Sequence, residues 1–142
     1  MSACTTTAAG SASRKIEIAI IEKLGLKNVG IVYNQHHGHD HVVRYAELLR
    51  AMKPHLLCVN LNGMIEQGDR TGKKIVPLGQ GPRDLELLRT LVDSGYAGPI
   101  GILGHTQDDA EERLRDNLDG LEWLVPQLSG KPAGAKPIPR TK

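Results

Sequence analysis

The stretch Gly30 Ile31 Val32 Tyr33 Asn34 Gln35 His36 His37 Gly38 His39 Asp40 His41 decides how the rest of the chain is read. Val29 to Tyr33 has no polar position, so it suits a strand covered on both faces, as in a parallel sheet flanked by helices. Ligands of such sheets sit beyond the carboxyl ends of the strands. Asn34, His36, His37 and His39 fall at that end, and four of the chain's six histidines crowd into this one loop.

Working outward, Ile16, Ile20, Ile21 and Leu24 recur at helical spacing over Arg14–Leu24, and Gly25 is a suitable stop. Downstream, Asp40 is placed to cap a helix to Lys53 whose inner face is Val42, Tyr45, Leu49 and Met52, and Pro54 ends it. Leu56–Leu61 is a second apolar strand, running into Asn60, Leu61, Asn62 and Gly63. Met64–Lys74 reads as a long polar loop and Ile75–Leu78 as a short third strand. The turn Gly79 Gln80 Gly81 Pro82 opens a helix with Leu85, Leu88, Leu91 and Val92 on its buried face, ending at Gly95. Pro99–Leu103 is the last strand. Beyond it Thr106 and Asp109 resemble a capping box, and Ala110, Leu114, Leu118, Leu121 and Val125 form an apolar stripe that ends before Pro126. Alternating strands and helices imply a parallel α/β sheet. With only three or four strands, such a sheet leaves two unprotected edges.

The length of 142 residues fits one domain with its own core. Residues 1–13 are mostly Thr, Ala, Ser and Gly without periodicity, and 129–142 are rich in Pro, Gly and Lys, so both are expected to be disordered tails around a domain at 14–128. Lys131, Lys136, Arg140 and Lys142 lack an acidic neighbour in sequence, which reads as a solvated tail. Aromatic residues make up 3% with no Phe, against a stacking platform for nucleic acid. Cys4 and Cys58 sit in unlike contexts and suggest reduced thiols. No apolar run approaches a membrane span and no signal peptide is evident, so the expected location is cytoplasmic, with no membrane and no nucleic-acid partner.

The clustered histidines suit zinc, manganese or iron, or else a polar rim bonded to backbone and water. The order His36 x Gly38 x Asp40 His41 misses the H-x-H-x-D-H metal pattern, because Gly38 stands where a ligand belongs. Asn60 and Asn62 share a strand face by alternation and read equally as a strand-end turn or as site residues. With His37 and His105 they would offer neutral donors and acceptors suited to hydroxyl-rich ligands. Gly79 Gln80 Gly81, before a helix, is also a weak phosphate-loop candidate.

Asn28 Val29 Gly30 Ile31 Val32 Tyr33 Asn34 x x His37, then Leu57 Cys58 Val59 Asn60 Leu61 Asn62, then Pro77 Leu78 Gly79 Gln80 Gly81, then Gly95 Tyr96 x Gly98 Pro99 Ile100 resemble the C-terminal half of the xylose isomerase-like TIM barrels, which include sugar isomerases and epimerases. The resemblance implies a partial (β/α)8 barrel, roughly strands five to eight with flanking helices. It implies a sugar or sugar-phosphate isomerase or epimerase that moves a proton beside the sugar carbonyl with the help of a divalent metal (Mn, Mg or Zn). The family's Asp, His and final Glu ligand positions fall on Asn34, Asn60 and Leu103, so the usual carboxylates are absent and the metal ligands are unknown. His37 matches the histidine that touches sugar. The expected catalytic pair is His37 and His105, with Asn34, His36, Asn60 and Asn62 binding substrate. The alternative is a non-catalytic carbohydrate-binding or scaffolding fragment with a degenerate metal site, completed by a second copy or a complementing half-barrel.

Overall fold

The computed structural model describes residues 4–5, 11–25, 27–104 and 109–141. Four strands, β1 (Cys4–Thr5), β2 (Ile31–Asn34), β3 (Leu56–Leu61) and β4 (Ile100–Ile102), form one parallel sheet in the order β1-β2-β3-β4. Helix α1 (Ser11–Leu24) precedes β2, α2 (Tyr45–Met52) precedes β3, and α4 (Asp84–Asp93) precedes β4. A one-turn α3 (Gly68–Thr71) interrupts the loop after β3, and α5 (Ala110–Leu128) follows β4. This is a mixed α/β fold with a small parallel sheet, consistent with part of a TIM-barrel-like architecture.

The strands form where expected because their side chains suit a half-covered pleat. Tyr33, Val59 and Leu61 project from one face into a core made with Leu48, Leu49, Met52, Leu88 and Leu91 of α2 and α4. By alternation and register, Val32, Asn34, Cys58, Asn60 and Gly101 share the other face.

Several boundaries differ from expectation. Cys4–Thr5, placed by sequence in a disordered tail, pairs with Ile31–Val32, and α1 begins at Ser11. The histidine stretch is a 3-10 helix, Gln35–Arg44, rather than a loop followed by a helix capped at Asp40. Residues 75–78 form no third strand, and Val76 makes one isolated antiparallel bridge to Gly63. The cap of α5 is Asp109, whose carboxylate accepts from the N–H groups of Glu111 and Glu112. The helix continues through Pro126 to Leu128. Thr106 lies outside the described residues.

The largest correction concerns the faces of α5. Leu114, Leu118 and Val125 are 48%, 46% and 50% exposed, while Arg113, Asp116, Asn117, Gly120 and Leu124 are buried. The missing third strand explains this. Residues 77–81 have no ladder to join, and their backbone groups need other partners. Asn117 supplies one by accepting from Leu78 N–H at 3.0 Å while donating to the Arg113 carbonyl at 2.7 Å. Gly120 provides room, since a Cβ there would collide with the Leu78 carbonyl.

Residues 131–141, expected as a disordered tail, return along α5 as a strap. Trp123 donates through Nε1 to the Gly134 carbonyl, and Gln80 through Nε2 to that of Pro137. Asp116 closes the strap, accepting from Arg140 N–H, Thr141 N–H, Thr141 Oγ1 and the Arg140 guanidinium at 2.7–2.9 Å. Asp119 takes the same guanidinium at 2.7 Å. The basic residues that lack acidic neighbours in sequence thus include one that acquires two in space.

Candidate functional site

Asn34, Asn60 and Gly101 stand side by side in register near the carboxyl ends of β2, β3 and β4. Asn60 Nδ2 donates to Asn34 Oδ1 at 2.6 Å, and the Cys58 thiol lies 3.5 Å from Asn60 Oδ1 as a weak donor. The row depends on glycine at 101, because a Cβ there would strike Asn60 Oδ1. Asn34 is buried and Asn60 half-buried, so the amide pair is partly shielded from water. Its surroundings on the sheet face, Val32, Cys58 and Gly101, carry no charge.

Asn62 does not join this row. It is 1% exposed, donates through Nδ2 to the Gly63 carbonyl at 2.9 Å, and leaves Oδ1 buried without a partner among the described residues. Its one hydrogen bond, to the carbonyl of the next residue, fits the strand-end turn that the sequence offers beside a site role.

The histidines diverge. The rings of His36 and His37 are tilted against one another with centroids 3.8 Å apart. His36 also borders a cleft of about 390 Å³ with Gly72, Lys74 and Ile75. His39 Nε2 bonds the Lys74 carbonyl at 2.9 Å; a carbonyl only accepts, so that nitrogen carries the proton and ties the 3-10 helix to the long loop. His41 Nε2 is buried without a hydrogen-bond partner among the described residues. A side chain at Gly38 would meet the Tyr33 hydroxyl, which accounts for glycine in the place of a ligand. Among the described residues no three His, Cys, Asp or Glu side chains are grouped to hold a metal ion. His105 lies outside the described residues. Leu103, where the resemblance implies a ligand, is half-buried and donates its N–H to the Leu61 carbonyl at 2.8 Å.

The glycine turn is already occupied by an anion of the chain itself. Asp84 Oδ2 accepts from Gly79 N–H at 2.8 Å and Gly81 N–H at 2.9 Å, and Oδ1 accepts from Met64 N–H at 3.3 Å. The turn's amides therefore serve a structural carboxylate, which overturns the phosphate-loop reading. Burial pushes the Asp84 carboxyl above its ordinary pKa, against the lowering by its three backbone donors and by Lys136. This clasp holds the loop after β3 to the start of α4. Beside it a cleft of about 320 Å³ is walled by Val42, Met64, Ile65 and Leu87, with His39 and Arg83 among its polar groups.

Sequence alone does not mark Cys58, Gly101 or Asp84 as site residues. Cys58 shares the parity of Asn60 along β3, which is a readable signal. The alignment of Gly101 with Asn60 depends on register between distant segments and is not.

No protein family matches the sequence, and no curated protein is similar to it. Among solved structures, the chain is similar to the crystal structure of a xylose isomerase domain protein from Planctomyces limnophilus, with a TM-score of 0.59 and 23% identity. The match covers 87% of this chain and 45% of that one. The chain therefore has a xylose isomerase-like fold and spans about half the length of the structure it matches. Among the described residues no helix is long and apolar enough to cross a membrane.

Proposed function

We propose that the chain is a sugar isomerase/epimerase-like barrel segment, equivalent to strands five to eight, whose role is to bind a small sugar or sugar phosphate at its strand ends. The observation that carries this reading is the Asn34–Asn60 amide pair at 2.6 Å. With Asn60 Nδ2 and Asn34 Oδ1 bonded to one another, the pair still presents Asn34 Nδ2 as a donor and Asn60 Oδ1, which takes only a weak thiol, as an acceptor in a partly shielded place, which suits neighbouring hydroxyls of a sugar. The same residues do not fit the divalent metal that the fold family implies. Manganese and magnesium favour carboxylate oxygens and zinc favours imidazole or thiolate, whereas these two amides are neutral and already bonded to one another. Binding is therefore the first function, and the amide pair offers no footing for metal-assisted isomerisation.

Any proton transfer would fall to His37, with His105 as its partner, imidazole being able both to accept and to donate a proton. The test is calorimetric titration of pentoses, ketoses and their phosphates into wild type and Asn60→Leu, with and without chelator, beside an isomerase assay on His37→Ala. The expected result is saturable binding that ignores chelator and weakens at least about tenfold in Asn60→Leu, the loss of a hydrogen-bonding contact. Chelator-sensitive binding, or turnover abolished in His37→Ala, would restore the isomerase reading. No binding by any of these ligands would remove the carbohydrate reading.

A further inference from the structure

We propose that two copies of this chain close head to tail into one barrel, with the α5 stripe of each copy packed on the α1 stripe of the other. Four parallel strands run in the order β1-β2-β3-β4, so β1 and β4 are the sheet's two edges and carry no further strand among the described residues. Parallel edges of this kind either pair or are covered.

The outer helices carry matching apolar sides. On α1, Ile16, Ile20 and Leu24 are 60%, 51% and 58% exposed and lie one above another at spacings of four. They turn away from α2, because Glu22 on the opposite side meets His55 and the charge of Lys15 acts on Glu47. On α5, Leu114, Leu118 and Val125 form the second exposed stripe, and the opposite side of the helix is taken by the strap at Asp116, Asp119 and Trp123. The α1 stripe thus faces away from α2, and the α5 stripe away from its own strap. Ile100, on β4 at the free edge, is a further exposed apolar side chain at 52%.

The two stripes lie at opposite ends of one sheet, so they do not meet within a chain. A two-fold axis brings α5 of each copy onto α1 of the other, twice, and the strands then total eight, the number that closes such a barrel. All helices run against the strand direction, so the facing helices are parallel. Lys23 flanks the α1 stripe and Glu122 the α5 stripe, and both are exposed and of opposite charge. A symmetric α5-to-α5 contact would leave the α1 stripe and the β1 edge of each copy uncovered. Closure also turns the half-buried face of Val32 and Cys58 into an enclosed lumen, and it does not depend on any ligand at the strand ends.

The experiment is sedimentation velocity on the full chain over a concentration series, for wild type, Ile20→Lys, Leu118→Glu and an equimolar mixture of the two variants. Wild type is expected at twice the chain mass and each variant at the chain mass. The mixture is expected to recover the pair, since a mixed dimer has one wild-type contact and one Lys–Glu contact. Circular dichroism checks that each variant is folded; where a charged variant is not, Ile20→Ser and Leu118→Ser replace it and are each expected to dissociate the pair. Monomeric wild type overturns the proposal and points to a different chain as the occupant. Growth beyond two copies, dissociation by only one of the variants, or failure of the folded charged variants to recover on mixing overturns it as well.

Discussion

Replacing Asp116 with Asn should unfasten the C-terminal strap in a way that depends on pH. The Asp116 side chain is 1% exposed, and burial raises its pKa, yet four hydrogen bonds from Arg140 and Thr141 together outweigh burial and hold it at about 2. The unfolded chain restores the ordinary value of 3.8. A folded pKa below the unfolded one means that the charged form is favoured by folding, so the contribution is present above about pH 4 and is lost as pH falls through 2. The difference of nearly two units corresponds to about 2 kcal/mol at neutral pH. The neutral amide of Asp116→Asn resembles the protonated acid, so urea unfolding should find the variant less stable by about 2 kcal/mol at pH 7 and nearly equal to wild type at pH 2. Trp123 is the sole tryptophan and bonds strap residue Gly134, so its emission reports the same event. It should shift to the red in wild type on acidification and already be shifted in the variant. A stability difference that does not change between pH 7 and pH 2 would falsify the assignment of this carboxylate as the strap's fastening.

Asp84 has the opposite sign. Its folded pKa is raised by burial, so its contribution is most favourable below the unfolded pKa and declines as pH rises through the folded value. Asp84→Ala should nevertheless destabilise at pH 7, since it orphans the buried N–H groups of Gly79 and Met64 at roughly 1–3 kcal/mol each, less the relief of a desolvated charge; chemical unfolding measures the balance. Gly120→Ala should cost more than about 3 kcal/mol, because a Cβ meets a backbone carbonyl that cannot rotate away, and thermal unfolding should show it. Gly101→Ala should instead leave the fold largely intact and break the Asn34–Asn60 bond, so sugar titration should detect it more strongly than denaturation does.

Much of the framework is legible in the residues. Leu56–Leu61 is a strand over the range its apolar run suggests, and β2 and β4 fall within a few residues of expectation. Asn34 and Asn60 read as site residues because each stands at the end of such a run, and the sheet brings them together. The third strand is misread because Ile75–Leu78 has strand-like composition, while Val76 bonds antiparallel to Gly63 and Leu78 N–H bonds to Asn117 of α5 instead. The stripe of α5 is real but its direction is not legible, since periodicity defines a face without naming what lies against it.

Local chemistry thus determined what can be settled within a turn or a short run: where strands begin, where helices stop, and which polar groups end up at a strand's carboxyl end. Only the tertiary structure decided which of two helix faces is buried, that the basic tail is held by Asp116, and that the histidines part company. Those outcomes rest on backbone groups, at Leu78, Lys74, Arg140 and Thr141, whose need for partners is met by side chains 24 to 39 residues away, a pairing that local sequence does not encode.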